Sequence, residues 1–111
     1  MNTENIKIDN TWLILSANGA ILGEVRPNIR QIRVNYDQNS KTITLYIYYN
    51  ESLTQDEEDY DISGTILGEM ISDFPDPTLL TWEDINIILP YPDRIPNKGI
   101  CIYRRYEPNP S

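Results

Sequence analysis

Residues 31–49 read QIRVNYDQNSKTITLYIYY, and this stretch decides the fold. Ile32, Val34 and Tyr36 alternate with Gln31, Arg33 and Asn35, the period of a half-buried strand. Asp37-Gln38-Asn39-Ser40 is turn chemistry. The alternation then resumes, with Ile43, Leu45, Ile47 and Tyr49 on one face and Thr44, Tyr46 and Tyr48 on the other. Pairing Tyr36 with Lys41 sets Val34 opposite Ile43 and Ile32 opposite Leu45. Both apolar sets then share a face, as an antiparallel hairpin over a core requires.

Working outward, residues 11–24 admit two readings. Asn18-Gly19 between apolar runs signals a hairpin. Leu13, Ala17, Ala20, Ile21 and Glu24 instead follow helical spacing, with Asn10 or Thr11 as cap and Gly23 as stop. The flanks lack β-branched alternation, so the helix is preferred.

After the hairpin, Thr54-Gln55-Asp56-Glu57 fits a capping box. Ser63, Ile66, Leu67, Met70, Ile71 and Phe74 continue as one apolar stripe until Pro75. Gly64 and Gly68 lie within that helix, and close packing on the sheet would explain them. A third strand is expected across Leu79–Leu89, with Ile85, Ile87 and Leu89 inward. A Pro-rich loop leads to a last strand, Ile100–Tyr106. The order helix, hairpin, helix, hairpin describes an α+β domain: an antiparallel sheet of about four strands with two helices packed on one face. The 111 residues form one domain, with 1–10 and 107–111 as loose termini.

Charge is the other marked property. The formal net charge is -8, and from Thr42 to Asp93 there are twelve carboxylates and no Lys or Arg. Asp56, Glu57, Glu58, Asp59 and Asp61 lie closest together. The first three suit a helix start, where the dipole favours negative charge. The rest of the span has no such local reason. A one-signed surface repels nucleic acid and anionic membrane and attracts cationic proteins.

The chain has no histidine and a single cysteine, Cys101, within an apolar strand. This removes the commonest general base and transition-metal ligand, and any internal disulfide. Consecutive acids at a helix start radiate around its axis and do not converge on one atom. No calcium loop, phosphate-cradling loop or nucleophile motif is present, so neither an enzyme nor a cofactor or metal site is expected. No apolar run approaches the roughly 18–20 residues that span a bilayer. The polar start Met1-Asn2-Thr3-Glu4 is unlike a signal peptide, so a cytoplasmic location is expected.

Other features have structural readings at hand. Trp12 and Trp82 suit core or rim anchors. Arg104 and Arg105 look like a small basic site, with Glu107 as an intramolecular partner.

Several segments together resemble a family of small bacterial proteins. Ala20-Ile21-Leu22-Gly23-Glu24-Val25 leads to Pro27-Asn28-Ile29-Arg30. The aromatic strand Tyr46-Ile47-Tyr48-Tyr49 precedes an acidic helix start, and that helix ends Ile71-Ser72-Asp73-Phe74-Pro75. Ile102-Tyr103-Arg104-Arg105-Tyr106-Glu107 closes the domain. These are similar to immunity proteins of contact-dependent growth inhibition and related toxin systems, over roughly Leu13 to Glu107. The resemblance implies a protein that binds and neutralises the C-terminal domain of a toxin, often a nuclease. It carries no interface residues.

Those come from the charge pattern: Asp56, Glu57, Glu58, Asp59, Asp61, Glu69 and Asp73 to attract a cationic toxin domain, with Tyr46 and Tyr48 as anchors. The free protein would be a monomer or weak homodimer. A regulatory or adaptor domain, or an acidic mimic of nucleic acid, would share this charge pattern.

Overall fold

A computed structural model describes residues 9–108. Helix α1 spans Asn10–Ala20, and the Asp9 carboxylate caps it by accepting from the Thr11 N–H. The helical reading of this segment therefore holds, and Gly23, at φ 81°, turns the chain out of it. Strands β1 (Ile29–Asp37) and β2 (Thr42–Tyr49) form the hairpin. Their register differs from the expected one. Asp37 closes on Thr42, which sets Val34 opposite Leu45 and Ile32 opposite Ile47. The Asp37 carboxylate accepts from the Asn39 N–H, and Lys41 takes a left-handed conformation at φ 55°. The turn thus begins one residue later on β1 and ends one later on β2. A net slip of two residues leaves every side chain on its expected face.

The expected single helix is two. Helix α2 (Gln55–Asp59) carries the capping box, and Tyr60 then leaves helical geometry at ψ 107°. Helix α3 (Ile62–Ser72) restarts with Asp61 as its own cap. Its stripe of Ile62, Ile66, Leu67 and Met70, extended by Phe74, packs with Leu13, Ala17 and Ala20 of α1 on Ile32, Val34, Ile43, Leu45 and Ile47. Trp12, Phe74 and Trp82 join edge to face at 4.2 and 5.0 Å, fixing the end of α3 between α1 and the sheet.

The sheet is mixed, not antiparallel. Strand β3 (Thr81–Ile88) runs parallel to β2, from Thr42 beside Thr81 to Tyr49 beside Ile88. Strand β4 (Ile100–Arg104) pairs antiparallel with β1, giving the order β3-β2-β1-β4. The two last strands lie on opposite edges and form no hairpin. The helical segment carries the chain back along the sheet, so it re-enters beside the start of β2. A parallel neighbour requires such a crossover. The long Leu89–Gly99 connection, unlike a hairpin loop, then spans from one edge to the other.

The facing of β3 also departs from expectation. Asp84 and Asn86 turn toward α3, where the Ser63 hydroxyl donates to Asp84 and accepts from the Asn86 amide. Ile85 lies on the far face and is 40% exposed. Apolar alternation mistook this face because two polar side chains find partners beneath the helix.

Candidate functional site

The acidic residues cover the helical layer, and local capping explains how they are held. Thr54 and Glu57 exchange bonds: the Glu57 N–H donates to Thr54 Oγ1 at 3.2 Å, and the Thr54 N–H to Glu57 Oε1 at 2.8 Å. Asn28 also donates to Glu57, tying α2 to the start of β1. Gln55 donates to Asp59 at 3.0 Å. The Asp61 carboxylate accepts from Gly64 N–H at 2.9 Å, and Asp73 accepts from the Ser16 hydroxyl of α1 at 2.8 Å.

Each of these bonds positions a carboxylate without neutralising it. Asp56, Glu58 and Glu69 are exposed and meet no Lys or Arg within ion-pair distance among the described residues. Asp56 and Glu58 lie in the first turn of α2, where the dipole favours negative charge, whereas Glu69 has no such local reason for its place. Among the described residues no three His, Cys, Asp or Glu side chains converge as metal ligands. The field reaches the sheet: the Tyr49 hydroxyl is pushed up to about 12, first by burial, then by Glu57 and Asp61, with Arg26 opposing.

The two tyrosines named with this patch do not join it. Tyr46 and Tyr48 stack at 6.5 Å on the opposite sheet face. Tyr48 is 1% exposed, and burial raises its pKa. Lys98 lies 5.8 Å over the Tyr46 ring, so the Leu89–Gly99 strap covers this face. The aromatic beside the acids is Tyr60, 44% exposed, with Arg26 over its ring and its hydroxyl donating to Glu24. Its signal was its place inside the acidic run.

Sequence reading also missed two buried arginines, Arg30 and Arg33, 3% and 6% exposed. In an unbroken strand Arg30 would share the core face with Ile32 and Val34. A bulge between Ile29 and Gln31 keeps Ile29 in the core and re-aims Arg30. Its guanidinium donates to both Glu107 carboxylate oxygens at 2.7 and 3.0 Å, and to the carbonyls of Leu89 and Asp93. Arg33 donates to the carbonyls of Lys98 and Gly99, to Asn97 and to Gln31. Together they fasten the strap to the sheet. Arg105 also pairs with Glu107, at 3.1 Å, whereas Arg104 is exposed and pairs with no acid among the described residues. These hydrogen bonds from Arg30 and Arg105 hold the Glu107 carboxyl below its usual range against the opposing effect of burial.

The chain is thus a two-layer α+β domain whose helical layer exposes carboxylates that no base pairs among the described residues, and in which no three metal-ligating side chains converge among those residues. A family model described as MafI2 immunity protein matches residues 10–107. The chain belongs to the MafI2 immunity protein family, a family of toxin immunity proteins. No curated protein matches it. No helix among the described residues is long and apolar enough to cross a membrane.

Proposed function

We propose that this protein binds and neutralises the toxic domain of its cognate toxin, a nuclease with a basic substrate groove, inside the producing cell. The observation that carries this reading is the exposed trio Asp56, Glu58 and Glu69, charged and without a neutralising base. A nuclease holds phosphates with Lys and Arg. An acidic layer laid over that groove competes with nucleic acid for the same cations and excludes it by volume. Long-range attraction also raises the encounter rate, which matters when an active toxin must be captured before it cuts.

Within the layer, Glu57, Asp59, Asp61 and Asp73 add charge from fixed positions, and Tyr60 offers amphipathic contact area at its edge. Tyr46 and Tyr48 belong to the strapped face and are not needed as anchors in this arrangement.

The test is co-expression with the cognate toxin's C-terminal domain, scoring growth and complex formation, followed by association kinetics. The triple variant D56K/E58K/E69K leaves the capping bonds intact. It should slow association about tenfold or more at low salt and flatten the salt dependence, as loss of steering does. Unchanged association would remove the helix layer from the interface, and failure to rescue growth by the natural chain would overturn neutralisation itself.

A further inference from the structure

Behind the acidic layer, the strap and the residues after β4 enclose a cleft of about 740 Å³ with the opposite charge. Its lining includes five arginines, Arg30, Arg33, Arg94, Arg104 and Arg105, against one carboxylate, Glu107. Three of these guanidinium groups are already committed: Arg30 and Arg105 to Glu107 and backbone carbonyls, Arg33 to the strap. Arg94 and Arg104 are exposed at the cleft and pair with no acid among the described residues. With five guanidinium groups against one carboxylate, the cleft is positive in a protein that is otherwise strongly negative. Free planar guanidinium forks match the paired oxygens of a carboxylate or phosphate.

We infer that this cleft is an oxyanion-binding site in which Arg94 and Arg104 supply the open donors, and that its source is an acidic side chain of the toxin domain. The chemistry rests on the cleft alone; the source rests on the neutralisation reading above. The protein would then grip its target with both signs. Its acidic layer would meet the toxin's basic groove, and its arginine cleft, reached round the end of the sheet where Asn28 holds α2 and Arg30 lines the cleft, would take a carboxylate from the toxin's rim. A partner that is merely basic cannot satisfy both, so the cleft would add selectivity to an attraction that is otherwise indiscriminate.

The two parts are tested separately. For the chemistry, inorganic phosphate is titrated into the full chain while Arg94, Arg104 and Arg105 side-chain resonances are followed, with chloride at matched ionic strength as control. Saturable shifts with phosphate alone are expected, because the net charge of -8 opposes unspecific anion binding. The variant R94Q/R104Q, whose unfolding midpoint should be unchanged, should lose about tenfold or more in phosphate affinity. No saturable shift, or equal binding by the variant, overturns the site.

For the source, R94Q/R104Q should also weaken the complex with the toxin domain, and phosphate should compete with that domain. Unchanged toxin affinity with phosphate binding intact would overturn the toxin source and assign the cleft to a free anion, leaving neutralisation standing. Failure of the natural chain to bind the toxin domain would instead overturn neutralisation and the source together, while the phosphate titration still decides the cleft.

Discussion

Glu107 lies 77 residues beyond Arg30, yet its carboxylate receives Arg30 and Arg105 together and so joins the start of β1 to the residues after β4. Removing its charge strands a buried guanidinium. Glu107→Gln should cost about 3 kcal/mol in urea unfolding. The acid limb should change too. A carboxyl held low in the folded state contributes stability above its ordinary pKa of 4.5 and loses it as pH falls through the depressed value. Stability of the natural chain should therefore fall below about pH 4.5, and the variant should lose that component.

Tyr49 works in the opposite direction. Its raised folded pKa means the unfolded chain ionises first, so stability should drop from pH 10 toward about 12. Tyr49→Phe should flatten that window, as followed by thermal melts across the range. The Arg105 pairing was legible because its partner stands two residues away. The Arg30 pairing was not, since only the bulge in β1 aims that side chain.

At the level of elements, the apolar stripe of α3 and the capping box of α2 were readable because each rests on spacing along one segment. The break between them was not. Asp61 looks like one more acid in a run, although its carboxylate starts a new helix. It also explains Gly64: a Cβ there would stand 2.1 Å from Asp61 Oδ2, whereas one on Gly68 would meet nothing within 4 Å. Helix-on-sheet packing is therefore not the reason for either glycine. Gly68→Ala should stabilise by about 1 kcal/mol through helix propensity. Gly64→Ala should fail to gain this and destabilise instead, because it displaces a cap worth about 1 kcal/mol. Denaturant midpoints of the two variants decide the matter. In the hairpin, faces were legible and register was not, because the left-handed Lys41 moves the closing pair.

For the molecule as a whole, α+β composition and the shared core face followed from pattern, while strand order depended on where the helices deliver the chain. Local periodicity is blind to that, and only the length of the Leu89–Gly99 connection argued against a second hairpin. The acidic layer was visible as a run without bases. The arginine cleft was not, because its cations come from β1, the strap and the residues after β4. Arg33→Met should expose the strap's dependence on this assembly. It leaves carbonyls of the strap without donors, at a cost of about 2 kcal/mol. Hydrogen exchange should quicken across 89–104 while α1 and α3 keep their protection. Uniform loss of protection would mean that Arg33 supports the whole fold rather than the strap.

The placement of β4 on the far side of β1 has a consequence for biosynthesis. A chain leaving the ribosome can complete the hairpin, the helices and β3 while the outer edge of β1 still lacks its neighbour. That raw edge, with unpaired backbone donors and acceptors, is the kind that recruits other nascent chains. Closure waits for β4, and Arg30 has its carboxylate only once Glu107 has emerged. A chain in which β4 has not yet docked is thus the aggregation-prone species, and β4 shields the hairpin that it joins.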